Sequence, residues 1–517
     1  MYCGKGQLVF EAPDPISVKA IFPDVKTLTY KGKPHMVLKH ELESVAILRN
    51  LGIEAPSPVN FGWTYPGRFT PFTHQKATVE FLTLNRRAFV LSGMGSGKTA
   101  AALWAVEYMK SQGVIDRVVI VCPKSCTHKV WEDEIFNTLM HRTSVVIEGG
   151  RERKRALAES DSDFIIVNHD GLITIADILT KDTRVNLIIY DEASAIRNGQ
   201  TRRYRVLKNI CKPTTRLWLL TATPCPNAPT DAWALARLVR PETVPPYFLS
   251  FKRQTMIQVS NFKWVPKPEA TQMAYAALQP AIRFKTEDCI DLPPVTYQNR
   301  QCDLSPHQME MAEDMRKHLV ADNSGSTITA ANAAVKMIKL LQIYTGAVYD
   351  DTGTTQLVTA PSRMDTLKEI LEEADRKVIV WCPYKHVMSH ILSELTEPYA
   401  AVINGDTSAS DRAQIITRFQ DEDSELRVLI AHPATAAHGL TLTAASICVW
   451  YGPTFSAEYT DQANARIIRP GQKHHMTIIR LGATALEWGA YDVAASKSER
   501  QAKVLALYKN VLESKAT

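Results

Sequence analysis

Gly93-Met-Gly-Ser-Gly-Lys98-Thr99 is the stretch of this sequence with the plainest chemistry. Gly93, Gly95 and Gly97 let backbone N–H groups wrap an anion, with Ser96 inside the wrap. Lys98 reaches the β and γ oxygens of a triphosphate, and the Thr99 hydroxyl binds Mg²⁺. An apolar run, Arg87–Leu91, precedes the loop, and a helical stretch from Ala100 to Gln112 follows it. In that setting the loop is a nucleoside triphosphate site. Asp191-Glu192 closes a second apolar run, Leu187–Tyr190. Acidic residues at a strand's carboxyl end beside such a loop have two tasks: Asp191 coordinates Mg²⁺, directly or through water, and Glu192 polarises the attacking water. Thr221-Ala-Thr-Pro224 follows a third run. The hydroxyls of Thr221 and Thr223 either sense the γ-phosphate or cap a helix that begins at Pro224.

These residues need a scaffold that sets several strand ends side by side. From Phe69 to about Val239, short apolar runs alternate with helical stretches: Arg87–Leu91, Arg117–Cys122, Ser144–Ile147, Phe164–Val167, Leu187–Tyr190 and Leu217–Leu220. Such runs predict a mostly parallel sheet covered on both faces. A second block starts near Ser362 and holds Lys377–Trp381, Tyr399–Ile403, Arg427–Ile430, Ser446–Trp450 and Met476–Ile479. Between the blocks the strand rhythm is lost, and helices are predicted over 270–281, 306–320 and 330–341. Residues 1–70 are punctuated by Pro and Gly around one helix, His40–Leu51, ended by Gly52. The expected class is α/β, in five parts: a small α+β accessory module (1–68), a first lobe (69–240), a helical insert (241–360), a second lobe (361–483) and a helical tail (484–517).

Composition bounds the reading without deciding it. At about 150 residues per domain, 517 residues ask for three or four domains. The chain is 45% hydrophobic and 22% charged, which excludes global disorder. Sixty Lys and Arg against 54 Asp and Glu leave +6, which permits a nucleic-acid partner and does not establish one. The nine Cys include no C-x-x-C pair, and no stretch reads as a signal peptide or a membrane span. A soluble, cytoplasmic protein is expected. The His474-His475 pair lacks partner spacing for a metal, and Cys122, Cys382 and Cys448 read as buried small hydrophobes.

Taken together the motifs resemble the helicase-type ATPases of superfamily two, and within them the Swi/Snf-like branch of DNA translocases, in compact bacterial or phage form. The resemblance covers roughly residues 69–480. It implies two tandem RecA-like P-loop NTPase lobes, with ATP and Mg²⁺ as the required small molecules. Phe69-Thr-Pro-Phe-Thr-His-Gln75 is similar to the adenine-recognition element, so Gln75 is expected on the base. Val121-Cys-Pro-Lys-Ser125 followed by Trp131 matches the segment that touches the tracking strand, and Ile166-Val-Asn-His-Asp170 a further strand contact. Gly439-Leu-Thr-Leu-Thr-Ala-Ala445 resembles the motif linking nucleotide and DNA sites, with Gly439 on the nucleotide side. Gln462-Ala-Asn-Ala-Arg466-Ile-Ile-Arg469-Pro-Gly-Gln472 resembles the arginine-finger motif, with Gln462 coupling the two sites. Two guanidinium groups three residues apart on one helix would share a face and neutralise the transferring phosphoryl group. Departures are Ser194 for His, Ala222 and Ala465 for Gly, and Ile468 for His.

The resemblance makes double-stranded or branched DNA the expected partner of a monomeric motor in a bacterial or phage-infected cytoplasm. Expected phosphate contacts are Lys124, Ser125 and His169 in the first lobe, and Lys385, His432, Thr435 and His438 in the second. The basic runs Arg151–Arg155 and Arg202–Arg205 are either DNA contacts or solvated faces. The expected activity is ATP-driven translocation on duplex DNA, for branch migration, fork regression, annealing or protein displacement. A strand-separating helicase is one alternative. The other is a DNA-dependent switch that recruits a repair, replication or restriction partner through residues 1–68.

Overall fold

The computed structural model describes residues 2–495 except 5, 13, 227, 261–263, 286–288, 290, 291, 322–329, 350–354, 396, 397, 437–441 and 470. The chain divides into two compact units, Met1–Cys289 and Ile290–Thr517. Among the described residues no helix is long and apolar enough to cross a membrane.

The first unit opens on a four-stranded antiparallel sheet, β1 (Tyr2–Gly4), β2 (Gln7–Phe10), β3 (Lys26–Tyr30) and β4 (Lys33–Lys39), in the order β1-β2-β4-β3. Its inner face buries Leu8, Phe10, Met36 and Leu38 against Val18, Val45 and Leu48. The predicted helix is present over Leu42–Asn50, and a second one covers Pro15–Ile21. The sequence pattern hides that second helix, because Asp14-Pro15 reads as turn punctuation. Asp14 is in fact an N-cap, accepting from the Ile16 and Ser17 N–H groups, and Pro15 begins the helix. Residues 57–66 leave this module and fasten it to the helix Lys98–Ser111. Val59 is fully buried, Trp104 Nε1 donates to Pro66 O at 2.8 Å, and Trp63 packs edge-on against Tyr108.

The next element is a seven-stranded parallel sheet: β5 (Arg87–Val90), β6 (Arg117–Cys122), β7 (Ser144–Ile147), β8 (Phe164–Asn168), β9 (Val185–Asp191) and β10 (Arg216–Leu220), then the hairpin β11 (Met256–Gln258)–β12 (Trp264–Pro266) outside it, then β13 (Ala281–Ile282). The order is β13-β5-β10-β9-β6-β8-β7. Each apolar run splits by alternation between two cores. Val118, Ile120 and Cys122 face helices Thr73–Leu84 and Lys98–Ser111, while Val119 and Val121 face the opposite layer.

The second unit repeats the plan with β14 (Val295–Gln301), the hairpin β15 (Ala347–Tyr349)–β16 (Thr355–Leu357), β17 (Lys377–Trp381), β18 (Ala400–Ile403), β19 (Val428–Ala431), β20 (Ala445–Trp450) and β21 (Met476–Gly482). Its parallel sheet runs β14-β21-β20-β17-β19-β18. The stretch 241–360, expected as a helical insert, does hold helices Ala270–Ala277, Pro306–Ala321 and Ala330–Thr345. It also supplies an edge strand to each sheet, β13 beside β5 and β14 beside β21. Two residues of strand, and a seven-residue strand rich in Gln, Asn and Arg, carry no apolar run to read. The expected tail begins as the helix Ala485–Ala495, which buries Leu486, Ala490 and Val493 in the second unit's core; residues 496–517 lie outside the described residues.

One buried ion pair ties that helix down. Arg363, 1% exposed, donates to Glu487 Oε1 at 2.5 Å and to the carbonyls of Tyr451 and Leu481. Glu487 Oε2 accepts from the N–H groups of Ala483 and Thr484, and the Glu487 N–H donates back to Thr484 Oγ1, a capping box. Replacing Glu487 by Ala leaves a desolvated guanidinium without its anion. Such a break costs about 3–5 kcal/mol. Thermal melting should show the second unit unfolding well below the wild type; an unshifted melt would show the pair to be dispensable.

Candidate functional site

The loop after β5 folds as a phosphate cradle. Gly95 and Gly97 hold φ of 74° and 72°, a left-handed region costly for other residues. Space imposes a second demand at Gly97, where an added Cβ would lie 2.0 Å from Gln75 Nε2. Ser96 Oγ donates to Gly93 O at 2.8 Å, and Lys98 Nζ donates to Ser92 O and Gly93 O, both at 2.9 Å. Lys98 and Thr99 lie in the first turn of the helix Lys98–Ser111, whose N–H groups are open to an anion. The helix Thr73–Leu84 is latched to this loop. The Phe72 N–H donates to Gln75 Oε1 at 2.9 Å, and His74 Nε2 donates to Ser96 O at 2.9 Å. Gln75 is thus brought to the loop, and Phe69 and Phe72 stay exposed beside it.

Parallel register sets two more loops abreast of the cradle. Leu220 pairs with Val90 on one side and with Asp191 on the other, so Thr221 and Glu192 leave the sheet at the same edge as Ser92 and Gly93. Glu192 has φ 52° and ψ 56°. A non-glycine residue held there stores about 1–3 kcal/mol of strain, a cost met mainly where function sets backbone direction. Asp191 is held at every oxygen. Trp131 Nε1 donates to Oδ2 at 3.0 Å, the Glu192 N–H to Oδ1 at 3.1 Å, and His169 Nε2 to the main-chain carbonyl at 2.9 Å. Burial raises the Asp191 carboxyl above the usual range, while the indole N–H and the Lys98 charge pull it back.

Two sequence expectations change here. Trp131, expected on the strand-contact segment, is fully buried in the π-helical turn Thr127–Glu132 and clamps Asp191 instead. His169, expected as a phosphate contact, spends its Nε2 on Asp191 O and stacks on Tyr190 with centroids 4.9 Å apart. No sequence signal announces the clamp, because its partners are separated by 60 positions. Lys124 is exposed and Ser125 half-buried in the turn after β6, at the same end of the sheet. No helix begins at Pro224; the next helical turn is Pro229–Asp231, so Thr221 and Thr223 are not its caps. The Thr223 N–H donates to Thr221 Oγ1 at 3.2 Å, and Thr223 Oγ1 is buried without a hydrogen-bond partner among the described residues. An orphaned hydroxyl, open helix N–H groups and a lysine resting on loop carbonyls together fit a triphosphate, and Thr99 with Asp191 supplies the oxygen donors that Mg²⁺ prefers.

In the second unit the helix Ala457–Asn464 ends before the arginines. Arg466 and Arg469 therefore do not share one helix; they come after it in successive turns, with the Arg466 N–H on Ala463 O and the Arg469 N–H on Ile467 O. Arg466 is 8% exposed and donates through Nε to Gln462 O at 2.9 Å, and burial pulls the Arg469 guanidinium below its ordinary value. Gln462 Oε1 is buried without a hydrogen-bond partner among the described residues. His432 cannot serve as a cationic phosphate contact. Its Nδ1 accepts from the Ala434 N–H and its Nε2 donates to Pro383 O, which makes it neutral, and burial lowers it further. Lys385 pairs with Asp406, and Thr435 lies in the short helix Pro433–Ala436. Gly439 and His438 lie outside the described residues.

The clamp on Asp191 yields a test. Trp131→Phe keeps the ring in its core and removes one N–H donor to a carboxylate, a bond worth about 1.5–3 kcal/mol. Nucleotide turnover should fall about tenfold or more, by the usual conversion of energy to rate, with a higher half-saturating Mg²⁺ concentration and an unchanged fold by circular dichroism. Wild-type turnover in this variant would show the bond to be incidental.

The family described as SNF2-related domain matches residues 74–363, and the helicase conserved C-terminal domain matches residues 362–471. Protein p41 of Acyrthosiphon pisum secondary endosymbiont phage 1 is 27% identical over 417 residues, covering 77% of this chain and 88% of its own length. The human DNA annealing helicase and endonuclease ZRANB3 is 26% identical over 445 residues, covering 82% of this chain; the chain spans only 39% of that protein's length. Among solved structures, the Sulfolobus solfataricus SWI2/SNF2 ATPase core in complex with dsDNA has a TM-score of 0.40 at 21% identity, over 87% of this chain and 96% of that one. Since the first match alone takes in more than half of the 517 residues, the chain belongs to the SNF2-related family of helicase-type ATPases.

Proposed function

We propose that this ATPase is a motor that moves along double-stranded DNA, remodelling DNA structures or displacing bound proteins. The observation that carries the catalytic part is the abreast placement of the cradle, Thr221 and the strained Asp191-Glu192 turn at one end of the first sheet. The DNA part is supported by family membership and by the activity in the name of a relative, DNA annealing.

In this reading Gln75 meets the base, and Gly93, Gly95, Ser96, Gly97 and Lys98 hold the phosphates. Mg²⁺, held by Thr99 and Asp191, would neutralise charge on the β- and γ-phosphates. Glu192, held in a left-handed backbone conformation, orients the attacking water. Thr223 offers its hydroxyl, unpartnered among the described residues, to the terminal phosphate, and Arg466 and Arg469 are retained as the arginines proposed to stabilise transition-state charge. Gln462 and Gly439 carry the nucleotide state toward the DNA contacts. Of those contacts Lys124, Ser125, Lys385, Thr435 and His438 are retained as proposals, and His169 and His432 are assigned to structure instead.

Glu192→Gln should lower turnover at least a hundredfold with ATP affinity kept, and Lys98→Ala should lose both, as radiolabelled hydrolysis and nucleotide-binding titrations would show. ATP turnover should rise with duplex or branched DNA and less with duplex RNA. Displacement of a triplex-forming strand, without unwinding of a plain duplex, is the expected signature. Unwinding of the duplex instead would make the protein a strand-separating helicase, and indifference to all DNA would remove the motor reading.

A further inference from the structure

The +6 excess of the chain is not spread evenly. Residues 201–216 alone hold six cations, Arg202, Arg203, Arg205, Lys208, Lys212 and Arg216, and no Asp or Glu. The helix Arg202–Ile210 buries Tyr204, Leu207 and Ile210 and leaves Arg202, Arg205 and Lys208 exposed at three-residue steps along one side. That row runs into a cavity of about 780 Å³ lined by Arg86, Arg87, Lys208, Arg237 and Arg240, with no carboxylate in its described lining.

Two of the lining cations have structural work. Arg87 donates to the carbonyls of Leu238, Lys212 and Thr215, and Arg237 to Pro241 O; cations at helix C-termini are ordinary. Arg240 pairs with Glu242 on the rim. The side chains of Arg86, Arg205 and Lys208 make no hydrogen bond or ion pair among the described residues, so helix capping does not account for them. Beside Arg86, burial and the like charge push Arg216 down to about 10. Neighbouring cations without an acid between them repel, and an anion relieves that repulsion.

Position separates this surface from the ATP site. Arg86 and Arg216 stand at the amino ends of β5 and β10, whereas the phosphate cradle and Thr221 stand at their carboxyl ends. A four-residue strand spans roughly 13 Å. The charges form a row ending in an open cavity, which suits a linear polyanion better than a single small anion.

We propose that the exposed face of helix Arg202–Ile210 and the adjoining basic cavity bind the phosphodiester backbone of a second nucleic-acid segment, apart from the ATP site of the same unit. The proposal rests on the reading of the chain as a DNA motor. A second grip would favour DNA with more than one arm, since one arm can occupy the motor track while another is held here.

The test uses the full chain carrying Arg86→Glu, Arg205→Glu and Lys208→Glu, against a control of equal charge change, Lys19→Glu, Lys26→Glu and Lys31→Glu. Affinity for a three-arm DNA junction and for a linear duplex is measured by fluorescence anisotropy over a range of salt. In the first variant, junction affinity should fall at least tenfold. The slope of log K against log salt should shrink by about 2–3, at about 0.9 per phosphate contact. Turnover stimulated by linear duplex should stay at the wild-type level, which also shows the variant to be folded. Unchanged junction affinity, or an equal loss in the control, overturns the site. A wild type that neither binds DNA nor responds to it overturns the motor reading and this site together, whereas wild-type binding with an indifferent variant removes the site alone.

Discussion

Parallel pairing of β5, β10 and β9 is the constraint on which the first unit's chemistry depends. With Val90, Leu220 and Asp191 level across three strands, every loop that leaves them must emerge at the same edge. Neighbouring strands lie about 4.8 Å apart, so the cradle after β5 and the acids after β9 are separated by roughly 10 Å. A triphosphate with its metal would span that distance. The two-sided burial of the strands holds this register. Sliding β9 by one residue would carry Ile188 and Tyr190 from one core to the other and exchange them with Leu187 and Ile189.

The site spends stability that the core supplies. Glu192 sits in a left-handed conformation, Asp191 is desolvated, and Thr223 keeps a buried hydroxyl without a partner among the described residues. None of these helps the fold. They persist because Trp131, His169 and the sheet over-determine the position of the turn. The indole lies in a π-helical segment shortly after the exposed Lys124. Extra residues of this kind in a helix are costly and recur where a side chain must be aimed. Here the aimed group is the donor that orients Asp191.

The second unit is built by the same alternation, but its charged residues are treated differently. Arg363 is sunk into the core and satisfied by Glu487 and two carbonyls, which locks the last described helix to the sheet. Arg466 and Arg469 lie in turns beyond a helix end, where backbone direction is not set by helical periodicity. A rule about residues three apart on a helix is therefore the wrong rule for them. The repeating geometry of a regular helix would have fixed their separation; a chain of turns leaves it to packing around Ile467 and Ala463.

Features that depend on short stretches of chain are already written in the order of the amino acids. The glycine-lysine loop, the acids closing β9, and nearly all the apolar strands are legible because a strand or a turn is specified by residues a few positions apart. Both the class of fold and the nucleotide chemistry come from them. Tertiary folding settled the rest: that Trp131 and His169 serve Asp191, that His432 is a neutral turn residue, that 241–360 lends an edge strand to each sheet, and that Arg86 joins Lys208, Arg237 and Arg240 around one cavity. Each of these is a meeting of groups far apart in the chain. Side-chain type and local spacing do not encode such meetings; the burial of whole sheet faces does, and it is complete only when every strand has found its neighbour.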